Sequence, residues 1–224
     1  MRHTDGATLA FDGPIAIVGG GYVDPALLLD LAARGFALIG ADGGGDAIGA
    51  VGLTPYAIIG DLDSLSDRAA WELRTRVIPI AEQETTDFEK ALYSTAAPVT
   101  LALGVTGKRL DHTLAALSAV LRYAAQRHVL VVDEVDVALA VVGPFAFYAV
   151  AGERVSVHPL VPISFERSEG LVYALDGLRL EMGGRGGSSN AAVGGRFTIV
   201  PTDQTPWLLI MSKQRIWELV AVLG

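Results

Sequence analysis

Short apolar runs alternate with amphipathic stretches through the first part of the chain, from residue 14 to about residue 133, and this order defines an α/β fold. Segments 14–19, 36–41, 56–60, 76–80, 99–104 and 129–132 are continuously apolar, as strands buried on both faces of a parallel sheet should be. Between them, segment 25–34 carries leucines on one helical face, and 111–126 predicts a long helix rich in alanine and leucine. Segment 86–94 opens with Thr86 and Glu89 at capping-box spacing. The pattern then changes. Segments 137–142, 145–150, 154–158, 197–200 and 207–211 are short and β-prone, separated by Gly and Pro. The expected architecture is an N-terminal mostly parallel sheet flanked by helices (1–136), followed by a C-terminal all-β sandwich (137–224). A glycine-rich stretch at 183–187, followed by Ser188, Ser189 and Asn190, predicts a loop in the second part.

Composition narrows the chemistry. The 224 residues are 51% hydrophobic and 19% charged, which is a packed globule rather than a disordered chain. No apolar run reaches the roughly 18 residues of a membrane span, and the Met1–Asp12 stretch lacks the features of a leader. A cytoplasmic protein with no membrane partner is expected. The absence of cysteine removes disulfides, thiolate metal sites and cysteine nucleophiles, leaving oxygen ligands and histidine, so a hard cation is the default metal. A formal charge of −8 argues against a grip on nucleic acid, which requires a basic surface. With a polyanion such as ATP as ligand, a divalent cation would be needed to bridge it to nearby carboxylates.

Four segments carry candidate chemistry. Gly60-Asp61-Leu62-Asp63-Ser64 follows an apolar run, which puts two carboxylates at the carboxyl end of a parallel strand; a metal pair and a solvated turn both explain it. Ala41-Asp42-Gly43-Gly44 adds a third carboxylate, with glycines that either admit a ligand or simply connect strand to helix. In Thr86-Asp87-Phe88-Glu89-Lys90, Asp87 can complement the helix dipole or reach a metal, and Lys90 lies a turn on for a phosphate. Gly107-Lys108-Arg109-Leu110-Asp111-His112 offers Arg109 as a bidentate phosphate clamp and Lys108 as a point charge, while Asp111 either caps the next helix or orients Arg109. Gly19, Gly20 and Gly21 follow the first strand, but Asp24 and Pro25 break the dinucleotide fingerprint, which counts against a nicotinamide-dependent oxidoreductase.

In this order the four motifs resemble the thiamine pyrophosphokinase family, and the resemblance continues through Val155-Ser156-Val157-His158, Gly170-Leu171-Val172-Tyr173 and Ser189-Asn190. It implies a homodimer with sites at the subunit interface, whose α/β part holds Mg–ATP and whose β-sandwich helps bind thiamine. The implied reaction moves the β,γ-diphosphate of ATP to the thiamine hydroxyl and releases AMP. By motif match, Asp61, Asp63 and Asp87 become the Mg²⁺ ligands, with Asp42 in the same acidic cluster. Lys90 and Arg109 would meet phosphate, and Gly43, Gly44 and Thr86 would line the nucleotide site. Tyr173 would stack on a thiamine ring, with Ser189 and Asn190 bonding its pyrimidine. The proton acceptor is Asp111 or an aspartate of the cluster. Two features depart from the family pattern: Ala116, near which members often carry Asn, and the density of glycine at 183–187. A diphosphotransferase for another heterocyclic alcohol, such as a pterin, and a non-catalytic nucleotide-binding regulator are the alternatives.

Overall fold

The computed structural model describes residues 9–224; residues 1–8, part of the stretch in which no leader is expected, lie outside them. The chain runs β1 (Leu9–Ala10), β2 (Ile15–Val18), α1 (Pro25–Ala33), β3 (Ala37–Ala41), α2 (Gly44–Ala50), β4 (Ala57–Gly60), α3 (Arg68–Glu72) and β5 (Arg76–Pro79). It continues through α4 (Asp87–Tyr93), β6 (Thr95–Ala96), β7 (Val99–Leu103), α5 (Leu110–Tyr123) and β8 (His128–Val132). The remainder is mostly strand: β9 (Asp136–Val141), β10 (Phe145–Ala149), β11 (Ser156–His158), β12 (Ile163–Glu169), β13 (Arg179–Leu180), β14 (Gly195–Pro201) and β15 (Trp207–Ser212), closed by α6 (Ile216–Leu223).

A nine-stranded sheet in the order β11-β15-β9-β8-β7-β2-β3-β4-β5 forms the frame. From β8 to β5 every pairing is parallel. From β8 to β11 every pairing is antiparallel. The expected mostly parallel sheet with helices is therefore present, and the change of sequence character near residue 136 marks where pairing changes direction inside one sheet. A second antiparallel sheet, β10-β14-β12-β13, packs on its antiparallel end, where Phe165 meets Trp207 edge-on at 5.8 Å.

Alternation within the parallel strands feeds two cores. Ile15 and Ile17 face the cluster built with Phe88, Ala91 and Leu92 of α4 and Ala119 and Val120 of α5. Ala16 and Val18 face the opposite cluster, which takes in Leu28 and Leu31 of α1 and runs on to Phe147, Phe165 and Trp207 of the sandwich. Each such side chain contributes about 1.5–3 kcal/mol through burial, so the two cores tie helices and both sheets into one body. Two of the expected helices begin where the sequence placed them: Asp24 caps α1 through the Ala26 N–H with Pro25 behind it, and Thr86 caps α4 through the Glu89 N–H.

Candidate active site

From β2 the chain winds outward through β3, β4 and β5, then returns to place β7 on the other side of β2. The carboxyl ends of β2 and β7 therefore part into loops of opposite direction, which is where open α/β sheets hold ligands. A cleft of about 410 Å³ opens there, lined by Gly19, Gly20 and Gly21, by the 104–109 loop, and by Asp42, Thr86 and Asp87. Its narrow floor demands glycine: a Cβ on Gly19 would stand 2.6 Å from the Gly104 carbonyl oxygen.

On one side the carboxylates gather. Asp42 ends β3 with φ 50° and is 4% exposed. Its Oδ2 accepts the Ser64 N–H at 3.1 Å, while its Oδ1 is buried without a hydrogen-bond partner. Burial pushes the Asp42 carboxyl above the usual range and the charge of Asp87 adds to this, against the hydrogen bonds from Ser64. At the end of β4, Gly60 allows the approach, since a Cβ there would lie 2.9 Å from Asp87 Oδ1. Leu62 then takes φ 68°, a left-handed turn that costs a branched residue about 1 to 2 kcal/mol. The turn carries the chain off the end of β4 with Asp61 and Asp63 on the side of Asp42. Carboxylate oxygens of Asp42, Asp61 and Asp63 lie within 4.8 Å of one another.

Asp61 is held from several directions. Its Oδ2 accepts from Gln83 Nε2 at 3.0 Å and Lys90 Nζ at 3.4 Å, and its Oδ1 from the Asp63 N–H at 3.3 Å. The Gln83 hydrogen bond, foremost, lowers its carboxyl below the usual range. Asp87 was expected as a third metal ligand beside Asp61 and Asp63; the cluster takes Asp42 in that place. Asp87 lines the cleft and turns its Oδ1 to the Asp61 N–H at 3.1 Å and to Lys90 Nζ at 3.0 Å. Lys90, expected to meet a phosphate, is 1% exposed and spends its charge on Asp61 and Asp87. Burial opposes that charge, but the two carboxylates outweigh burial and raise the ammonium's pKa.

The opposite rim is basic. Lys108 Nζ donates to the Gly20 carbonyl at 2.8 Å, closing the 104–109 loop over the glycines. Arg109 grips Asp111 through two bonds of 3.1 and 2.6 Å. Arg109 itself stands at the α5 N-cap with no side-chain cap bond, and Asp111 in the first turn both orients the guanidinium and accepts the His112 N–H at 3.0 Å. That guanidinium holds the Asp111 carboxyl below its usual range. Thr86 and Gly43 line the cleft as expected. Gly44 does not: it packs inside α2, where a Cβ would overlap the Val18 carbonyl at 1.7 Å.

Tyr173, Ser189 and Asn190 come together away from the cleft. Asn190 is buried, and its amide clamps the Tyr173 backbone, accepting its N–H at 3.0 Å and donating to its carbonyl at 2.6 Å. Ser189 sits at φ 60° with its N–H on Ser156 Oγ, and the Tyr173 ring stands 67% exposed. Asn190 was expected to bond a ligand, but its Oδ1 and Nδ2 already bond Tyr173 and the Ala191 N–H. Gln83 escaped the sequence reading because nothing distinguishes a polar residue in a turn from one aimed at a carboxylate.

A doubly wound sheet with a glycine cleft at its switch point, carboxylates on one rim and cations on the other, defines a protein of the nucleotide-phosphate-binding α/β class. Residues 30–132 match the family model described as thiamin pyrophosphokinase, catalytic domain. Over that span the chain is similar to the thiamin pyrophosphokinase family. It is similar to the crystal structure of the thiamin pyrophosphokinase from Geobacillus thermodenitrificans at 27% identity and a TM-score of 0.73, over 89% of this chain and 97% of that one. The thiamin pyrophosphokinase of Candida albicans shares the fold at 16% identity and a TM-score of 0.78, over 92% and 93% of the two chains. No curated protein sequence matches the chain.

Proposed function

We propose that the chain transfers the β,γ-diphosphate of ATP to the hydroxyl of thiamine, giving thiamine diphosphate and AMP. The single observation that carries this reading is the partnerless, buried Oδ1 of Asp42, which lies in one group with the Asp61 and Asp63 carboxylates beside the glycine cleft. A buried anion with an unused oxygen is costly alone, and three oxygen donors without sulfur or histidine suit a hard divalent cation. Asp42, Asp61 and Asp63 would hold Mg²⁺, which when bound neutralises phosphate charge and polarises phosphoryl oxygens.

The chain's own groups do the rest. Glycine amides and Arg109 receive phosphate oxygens, and Lys108 is close enough to follow once it leaves the Gly20 carbonyl. Asp87 and Lys90 fix Asp61 from behind. The thiamine oxygen attacks the β-phosphorus, the bond from that phosphorus to the α,β-bridging oxygen breaks, and AMP departs with the electron pair. Asp111 or an aspartate of the cluster takes the hydroxyl proton.

Tyr173 and its loop do not line this chain's cleft, which supports a homodimer in which a second copy brings them to the acceptor. No helix among the described residues is long and apolar enough to cross a membrane, and we place the reaction in the cytoplasm. The test is AMP release from Mg–ATP with thiamine, a pterin alcohol or no acceptor. AMP dependent on thiamine supports the reading. AMP only with the pterin alcohol moves the acceptor, and tight ATP binding without turnover makes the chain a regulator.

A further inference from the structure

The loop that carries Asp61 and Asp63 is tethered twice to the turn that follows β3. Asp42 holds it at Ser64, and Asp46, one helical turn further on, holds it at Ser66. Asp46 accepts three donors: the Ser66 N–H at 2.8 Å, the Ser66 Oγ–H at 2.9 Å and the Trp71 indole N–H at 2.8 Å. The hydrogen bonds coincide with an apolar anchor, because Leu62 and Leu65 of the same loop are buried with Ile58 and Trp71 in a small cluster of their own. That cluster helps offset the left-handed turn at Leu62, which lies between Asp61 and Asp63.

The two tethers differ in kind. Asp42 lines the cleft and has a free oxygen for a cation, so it serves as ligand and tether together. Asp46 does not line the cleft, and its carboxylate is fully engaged by the loop and by α3. We infer that Asp46 is a positioning residue, which fixes the Asp61–Ser66 turn in its cation-binding shape before any cation arrives. The inference rests on reading the Asp42, Asp61 and Asp63 cluster as a divalent-cation site. Ligands ordered in advance bind without the ordering cost, and removal of such outer supports weakens metal sites by about 10- to 100-fold.

Mn²⁺ binding to the whole chain, followed by electron paramagnetic resonance without nucleotide, tests this beside amide exchange at residues 62–66. Asp46→Ala should weaken Mn²⁺ binding about tenfold and speed exchange in that turn. Asp46→Asn should fall between, because its oxygen still accepts the Ser66 N–H. A folded Asp46→Ala protein with wild-type Mn²⁺ affinity would overturn the role of Asp46 and leave the cation site standing. Absence of Mn²⁺ binding by the wild-type chain would overturn the cation site and the inference with it. Should Asp46→Ala fail to fold, Ser66→Ala, which deletes one of the three bonds, decides: weaker Mn²⁺ binding supports the tether, and unchanged binding with unchanged exchange refutes it.

Discussion

Asp42 is ionised at a cost in the cation-free protein, because burial and Asp87 both resist its charge. The sign follows. A carboxyl whose folded pKa lies above its unfolded value contributes stability below the unfolded value and loses it as pH rises through the folded one. At neutral pH the wild-type side chain is therefore a burden that Asp42→Asn should lift. We expect this variant to melt at a higher temperature than wild type without Mg²⁺ and to lose the rise that Mg²⁺ gives wild type, both read by calorimetry. Asp61 is shifted the other way, so acid should weaken cation binding first through Asp42. The Mg²⁺ concentration for half-maximal rate should climb as pH falls through the raised Asp42 value, and a flat profile would contradict this. Asp63→Asn and Asp87→Asn should each cut turnover by about a hundredfold or more; the melt of Asp63→Asn should stay near wild type, while that of Asp87→Asn should fall, because buried Lys90 loses its nearer partner. In the proposed dimer the exposed Tyr173 would stack on the acceptor, and Tyr173→Ala should then raise the thiamine KM about tenfold with kcat little changed in steady-state assays.

Between elements, Arg127 is the joint that couples α4 to the sheet. Its guanidinium donates to the Leu92 and Thr95 carbonyls at the end of α4 and to Thr100 Oγ1 of β7, and burial lowers its pKa to about 10. Arg127→Ala deletes these bonds, and although the Leu92 carbonyl keeps donors of its own, the loss at the Thr95 carbonyl and Thr100 Oγ1 should cost about 2–3 kcal/mol and lower Tm by roughly 5–10 °C in thermal denaturation. At this scale the sequence was most readable where one period dominated. The parallel strands announced themselves as mostly apolar runs, α1 through the leucines of segment 25–34 and α4 through Thr86 and Glu89. Only half of the capping box formed, since Glu89 turns its carboxylate to Arg122 of α5. Helix α2 was hidden by its glycines, which the close approach to β2 requires but which read as loop. Strand β12 was hidden by its charges and by a break in alternation: Glu166, Arg167 and Glu169 are exposed, and the register shifts between Phe165 and Arg167. The carboxylate site was legible as a set of motifs. The motifs placed Asp42 in the cluster; that Asp87 bonds the Asp61 N–H and Lys90 was not legible, because those contacts exist only in the packed structure.

Across the molecule, β9 is the hinge of the argument about domains. It pairs with β8 on one side and β15 on the other, so the strands beyond residue 136 finish the sheet that the earlier strands begin. A fragment ending at residue 136 would leave the β8 edge open along with apolar faces of Leu130 and Val132 that the later strands cover. We expect it to aggregate or to lack a cooperative melt, whereas cooperative unfolding of the soluble fragment would show that 1–136 is an independent unit. The same ladder has a mechanical consequence. Swivelling the β-sandwich against the phosphate-binding half would tear inter-strand hydrogen bonds from a buried sheet, so the two behave as a single beam. Substrate capture must then fall to the short glycine segments at its end, and small-angle scattering should give one radius of gyration with or without nucleotide at fixed oligomeric state.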